Sequence, residues 1–468
     1  MKKLPFILAA LIVVAFTACQ RKVTPKTVFT LKITVSNAGE EYILARYGER
    51  LDTFFLDSGK YYAELPFSQG TYMELQYGEK FFQVFGAPAN DLQLSFDAGM
   101  EDPVTKFAGS LQFENEYVDD RRLFDEQQLD LENNLYTAGE EDFIPVNDSL
   151  RKIREQLFTE SRKTFVSNVA EEFTYLEESL IKTKWINRYM EHELYFPLFT
   201  EQAEYTPSAK MLEYRKEIDP NNARLLVLDE YLGMLDYFID IKKKEANQGI
   251  DEVSMSNLER MTLEFNTIEK NITNKPVVDE VKYKWVQKFL QTNGIEGAEK
   301  ELTEYIQTVS DPIRRQELEA DYKKWEALQN GEQSPEIRAV TMAGDSIKLS
   351  AYRGKYIYLD FWATWCKPCR DEIPFLEKLT ADLKKDSIVV ISVSLDEELD
   401  TWARIVRLKK MTGIQWFAEK DAVISAYNLA SIPRYVIIDP QGKIVSANAE
   451  RPSGNIREQL KQLSNGEI

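Results

Sequence analysis

Residues 356–369 read Tyr-Ile-Tyr-Leu-Asp-Phe-Trp-Ala-Thr-Trp-Cys-Lys-Pro-Cys. The first part, Tyr356–Phe361, is an apolar run rich in aromatic and branched side chains, as a buried strand requires. After Cys369 comes Arg-Asp-Glu-Ile-Pro-Phe-Leu-Glu-Lys-Leu, which has the apolar spacing of an amphipathic helix. A strand therefore delivers two thiols, Cys366 and Cys369, to a helix start, one turn apart. That arrangement marks a site where a dithiol and a disulfide interconvert.

The remaining cysteine chemistry agrees. The chain has three cysteines, and the one outside this stretch is Cys19. A structural zinc site needs about four Cys/His ligands, and the one histidine, His192, lies far away in sequence. No metal is expected. His192 stands between Glu191 and Glu193, and solvated carboxylates on both sides place it on the surface.

Cys19 belongs to the N-terminus, where Lys2 and Lys3 precede an apolar run, Leu4–Phe16, and then Thr17-Ala18-Cys19. The run is shorter than the roughly 20 residues of a membrane-spanning helix and has the layout of a secretory signal. A cysteine directly after Ala18 resembles the bacterial lipoprotein signal. That resemblance implies loss of residues 1–18 and a lipid on Cys19, with 19–26 as a lipidated linker. The expected location is the bacterial cell envelope, facing the periplasm, with the membrane reached through the N-terminal lipid only. The full chain carries 77 acidic against 58 basic side chains, a formal charge of −19. Such acidity argues against nucleic acid and anionic membrane surfaces as partners and favours solubility.

The 468 residues exceed one ordinary domain, and the hydrophobic pattern changes twice. Over 27–115 it has period two: Phe29, Leu31, Ile33 and Val35 alternate with polar residues, as do Met73, Leu75, Tyr77 and Leu92, Leu94, Phe96. Turn signals at Asn37-Ala38-Gly39, Asp57-Ser58-Gly59 and Ser68-Gln69-Gly70 predict an all-β, sandwich-like domain. Over 116–330 the pattern becomes helical, with Leu150, Ile153 and Leu157 following a candidate cap at Asp148, and an apolar stretch at Leu225–Ile239. From 331 strands and helices alternate: a hairpin across Ala343-Gly344-Asp345, strands at Tyr356–Phe361 and Ile388–Leu395, a helix at Asp400–Met411, a hairpin across Asp439–Gly442 and a last helix at Ile456–Leu463. The expected class is a multidomain chain with an N-terminal all-β domain, a central α-helical domain and a C-terminal α/β domain.

The C-terminal part resembles the thioredoxin superfamily, in its exported, membrane-anchored TlpA-like and ResA-like branch. The residues that carry the likeness are Gly331–Pro335, Gly354-Lys355, Trp362–Cys369, Glu372, Pro374, and Ile432-Pro433 before Tyr435–Asp439. It implies a thioredoxin fold for 331–468 and disulfide exchange without a bound cofactor, the redox-active pair being Cys366 and Cys369. Partners would be protein thiols and disulfides and an upstream electron donor. Phe107-Ala108-Gly109-Ser110 and Asn115 resemble the extensions of some exported lipoproteins, which implies no activity. Two other readings compete. The first two domains fill most of the chain and suit a binding or assembly lipoprotein, while peroxiredoxin-like peroxidases share the fold. Against the latter, Thr364 stands two residues before Cys366, where that family has its threonine three before.

Exchange needs a thiolate, and an unperturbed cysteine titrates near 8.5. Cys366, at the helix start, should feel the dipole and free N–H groups and act as nucleophile, with Cys369 deeper and resolving. Lys367 can add positive charge, and Pro368 stiffens the first turn. Asp360, in the apolar strand, and Glu372, three residues past Cys369, are the candidate proton acceptors for Cys369. The resemblance makes the Ile432-Pro433 bond cis and gives its backbone an edge for an extended substrate, with Arg434 adjoining it. Trp362 and Trp365 are expected to pack around the site, Trp365 covering Cys366. The absence of a histidine between the cysteines makes reduction the expected direction.

Overall fold

A computed structural model describes residues 28–465 apart from 49, 56–59, 201, 203–204, 247–254 and 384–387. The leader, Cys19, the linker and the turn at Asp57-Ser58-Gly59 lie outside the described residues. The chain forms two compact units, 1–218 with 224–237 and 219–223 with 238–468. The helical stretch 116–330 is thus shared between the units and does not stand as one body.

The first unit begins with β1 (Phe29–Ser36), β2 (Tyr42–Tyr47), β3 (Arg50–Phe55), β4 (Lys60–Leu65), β5 (Thr71–Tyr77), β6 (Lys80–Gly86), β7 (Asp91–Asp97) and β8 (Lys106–Ala108). They make two four-stranded sheets, ordered β4-β1-β7-β8 and β3-β2-β5-β6. Alternation buries Phe29, Leu31, Ile33 and Val35 of β1, and rings from the two sheets meet in pairs such as Tyr77–Phe96, with centroids 5.5 Å apart. At the exit from β8, Gly109 has φ +105°, and a Cβ there would lie 2.8 Å from the Asp91 carbonyl oxygen, so the turn requires glycine. Asn115 then completes the edge of β6: its Oδ1 accepts from the Phe85 N–H at 2.8 Å and its Nδ2 donates to the Phe85 carbonyl at 3.0 Å.

Helices α1 (Gln112–Asn134), α2 (Glu140–Ser161) and α3 (Ala170–Phe199) follow. Asp148 is no cap; it lies inside α2 and accepts from Trp185 Nε1 at 2.8 Å and the Tyr189 hydroxyl at 3.0 Å. The surface placement of His192 is also overturned. Its ring is fully buried, stacked on Phe196, with Nε2 2.8 Å from the Ala138 carbonyl oxygen. The flanking carboxylates are engaged too, Glu191 by Tyr136 and Tyr237 and Glu193 by Tyr214 and Arg215. Burial lowers the pKa of His192, against the hydrogen bond to Ala138 and the charge of Glu140. Helix α4 (Asp229–Ala246) covers the second part of the Leu225–Ile239 stretch, and the boundary between the units falls within it.

The second unit joins α5 (Asn257–Asn271), α6 (Lys275–Thr292), α7 (Glu299–Thr308) and α8 (Pro312–Glu326) to a mixed sheet. The rest runs β9 (Arg338–Thr341), β10 (Ser346–Lys348), β11 (Tyr356–Trp362), α9 (Lys367–Asp382), β12 (Ile388–Ser394), α10 (Leu399–Lys409), β13 (Ile414–Ala418), α11 (Lys420–Ala426), β14 (Arg434–Ile438), β15 (Ile444–Ser446) and α12 (Ile456–Asn465). The sheet order is β10-β9-β13-β12-β11-β14-β15, with β11 an interior strand between β12 and β14. The sequence reading found these elements except β13 and α11, both too short to show a period. Parity divides the sheet's side chains. Tyr358, Tyr435 and Ile437 pack with Leu376, Leu379 and Leu460 from α9 and α12. Leu359, Phe361, Val436 and Ile438 face the other way, into a core continuous with Val286, Phe289, Leu290, Leu318 and Trp325 of α6 and α8. One hydrophobic core therefore serves both the sheet and the preceding helices.

Candidate active site

Strand β11 ends at Trp362, and five residues later α9 begins. Cys366 is the residue that caps it, with extended φ −77° and ψ 103°, and its Sγ accepts the Cys369 N–H at 3.2 Å. Sulfur thus takes the place usually held by a serine or aspartate oxygen, where unpaired N–H groups favour an anion. Pro368 sits in the first turn, where a missing N–H costs nothing. The two sulfurs are bonded, with Cα atoms 5.3 Å apart. Both cysteines are buried among Trp362 and, from α10, Trp402, Ala403 and Val406.

Exposure does not separate the cysteines as expected: Cys366 is 5% exposed and Cys369 4%. Their difference lies in the backbone, since Cys366 receives a helix N–H and Cys369 sits inside the first turn. The Ile432-Pro433 bond is cis, and the Ile432 carbonyl oxygen lies 3.7 Å from Cys366 Sγ. Ile432 itself packs on the cysteine cluster. Trp365 does not pack into the site; its side chain is 63% exposed at the rim. Lys367 is also exposed, and its ammonium is paired with Asp371 at 2.8 Å, which offsets its charge near Cys366.

Asp360 lies between Tyr358 and Trp362 on one alternating face of β11, the face whose Trp362 packs against the cysteines. It is buried, and its Oδ2 accepts a hydrogen bond from the Ser392 hydroxyl at 2.9 Å. Burial pushes its pKa up to about 7; the Ser392 bond opposes this and the charge of Glu372 adds to it. Glu372 is buried as well, held by the Ser453 N–H at 3.0 Å and the Ser453 hydroxyl at 2.8 Å. Two buried carboxyl groups, Asp360 on β11 and Glu372 on the cysteine-bearing helix, are therefore close enough for the charge of one to raise the pKa of the other.

Sequence reasoning missed the residues that hold the loop. Asp396, 4% exposed, accepts from the Thr364 N–H at 3.1 Å, the Thr364 hydroxyl at 2.7 Å and the Ser394 hydroxyl at 2.6 Å. Arg370 donates to the Thr364 carbonyl at 2.6 Å. The signal was present: Ser392 and Ser394 interrupt an apolar strand at alternate positions, and an aspartate follows. The Thr364 hydroxyl is committed to Asp396 rather than to Cys366, unlike the peroxidase arrangement.

Arg434 is displaced from its expected place. Instead of adjoining the substrate edge it is 3% exposed, because parity in β14 sends its side chain to the face shared with Val436 and Ile438, toward α6 and α8. Among the described residues no helix is long and apolar enough to cross a membrane, and no group of three or more His, Cys, Asp or Glu could hold a metal ion.

An interior strand feeding a thiol-capped helix, faced by a cis-proline, defines a thioredoxin-like disulfide-exchange domain. Residues 330–447 match the model of the AhpC/TSA family. The thioredoxin-like protein YneN of Bacillus subtilis is 32% identical over 123 residues, 26% of this chain and 72% of that protein. The thiol-disulfide oxidoreductase ResA of Bacillus cereus is 27% identical over 147 residues, 31% of this chain and 83% of that protein. Among solved structures, the thioredoxin domain of a thiol-disulfide oxidoreductase from Bacteroides vulgatus is 29% identical, covering 30% of this chain and 99% of that one, with a TM-score of 0.28. Through its C-terminal third, the chain belongs to the thioredoxin-like family of thiol-disulfide oxidoreductases.

Proposed function

We propose that this chain reduces or exchanges disulfides of partner proteins through Cys366 and Cys369, using no bound cofactor, in the cell envelope and tethered by a lipid on Cys19. The observation that carries the reading is Cys366 Sγ, placed on the helix N-terminus and against the Ile432 carbonyl beside cis-Pro433. In the reduced state the Cys366 thiolate attacks one sulfur of a partner disulfide, whose S–S bond breaks and whose other sulfur leaves as a thiolate. Cys369 then passes its proton to Asp360 and attacks Cys366 Sγ. The second partner thiolate leaves and the Cys366–Cys369 bond forms, so two electrons have moved to the partner. An upstream dithiol donor returns them. Asp360 suits the proton transfer because its pKa of about 7 lets it accept a proton at neutral pH.

Reduction of insulin disulfides by the purified protein with excess dithiothreitol tests the reading. Cys366→Ser should abolish the rate above the uncatalysed background, and an undiminished rate would sink it. Direction is read from the equilibrium of the Cys366/Cys369 pair with glutathione. A reductase should sit below about −200 mV, whereas a value near −120 mV would make it an oxidant.

A further inference from the structure

The mechanism leaves Arg434 without a role, yet its setting is specific. It is a buried cation with no ion-pair partner among the described residues; its guanidinium donates to the carbonyls of Thr292 at 3.1 Å and Ala447 at 3.5 Å. Thr292 is the last residue of α6, so that carbonyl is one of the helix's unpaired acceptors at the negative end of its dipole. The guanidinium carbon also stands over the Trp325 ring of α8, 5.1 Å from its centroid. Burial lowers the pKa of Arg434 to about 10, so it remains a cation at neutral pH. Burying such a charge without an anion is costly, and here two carbonyls, one ring and one helix end offset the cost.

The same contact zone has further ties. Asn448, two residues after β15, donates to the Asn293 carbonyl just past α6 at 3.3 Å. Trp325 donates its indole N–H to the Leu290 carbonyl, which fixes the ring that Arg434 covers. A short physical path therefore runs from α6 and α8 through Arg434 to the adjoining Pro433 and Ile432, and ends 3.7 Å from Cys366 Sγ.

We infer that Arg434 is a positioning residue by which helices α6 and α8 set the cis-Pro433 edge against Cys366, so that engagement of an extended protein substrate depends on helices outside the family-matched segment. This rests on the exchange reading above. Arg434 touches neither sulfur nor substrate, and its effect passes through the backbone of residues 432–434. Loss of the guanidinium should therefore weaken engagement of a polypeptide disulfide while leaving the thiol chemistry intact.

The test compares a protein disulfide, insulin, with a small one, hydroxyethyl disulfide, which needs no extended edge. Arg434→Met keeps the stem on Trp325 and removes the donors. It should raise KM for insulin about fivefold, with kcat/KM for hydroxyethyl disulfide and the alkylation rate of Cys366 within about twofold of wild type. Arg434→Lys should fall between the two, and Trp325→Leu should shift KM in the same direction, with the double variant no worse than Arg434→Met. If Arg434→Met does not fold, Arg434→Lys and Trp325→Leu carry the same comparison. An unchanged insulin KM in folded variants, or equal losses on both disulfides, would overturn the inference. A wild-type protein inactive on both disulfides would instead overturn the exchange reading itself.

Discussion

The buried arginines of the N-terminal unit and two buried charges of the redox unit, Asp360 and Arg434, are held in different ways. In the N-terminal unit each buried cation meets a carboxylate: Arg121 pairs with Glu177 at 2.6 Å, and Arg154 pairs with Asp125 at 2.7 Å and Glu132 at 2.6 Å. Burial pushes the Asp125 carboxyl up, but the charges of Lys184 and Arg154 outweigh it and hold it below the usual range. In the redox unit, Asp360 has one hydroxyl partner and Arg434 has carbonyls and a ring. Full pairing fixes ionisation far from neutral pH and locks the fold. Partial pairing leaves a group able to change state, as proton transfer requires.

The largest effect is expected at the thiol. Cys366→Ser should lower exchange by about 10³-fold or more, with a small effect on folding of the reduced protein, checked by insulin turnover and thermal melting. The fully paired unit should answer in stability instead. Glu177→Gln leaves Arg121 buried with a neutral partner and should cost about 3–5 kcal/mol in denaturant unfolding, with insulin turnover changed less than about twofold.

Asp360 should answer in both. Its folded carboxyl keeps its proton up to about pH 7, whereas the unfolded one releases it near 3.8. Between those values the folded state binds more protons, so stability falls as pH rises through this window and stays reduced above it. Asp360→Asn removes that cost and should stabilise the protein by about 2–4 kcal/mol at pH 8, a gain that fades toward pH 4. The same change should slow turnover at pH 8 about tenfold and abolish a rate inflection near pH 7. A stability gain with unaltered turnover would make Asp360 structural only. The smallest effect belongs to Lys367→Gln: the exposed Lys367–Asp371 pair should leave the alkylation rate of Cys366 within about twofold.

What the sequence made legible was local. The Cys366-Lys367-Pro368-Cys369 spacing, the strand before it and the amphipathic helix after it are written in consecutive residues, and β11 and α9 form there. Asp360 was legible because one charge stands out in an apolar strand. What escaped depended on partners distant in sequence. Arg434 could be placed only once the core was known to include α6 and α8, 142 residues away at Thr292. His192 was misplaced because its flanking glutamates looked solvated, although tyrosines from other segments bind both. Asp396 needed the pairing of β11 with β12, which brings it to Thr364.

In the proposed exchange Cys366 attacks and Cys369 resolves. The most direct measurement is mass spectrometry of reduced Cys369→Ala protein after brief incubation with a disulfide-bonded substrate protein. A one-to-one mixed disulfide at Cys366, stable until dithiothreitol is added, is the expected result. No adduct, or an adduct that forms as readily when Cys366 is also replaced by serine, would contradict it.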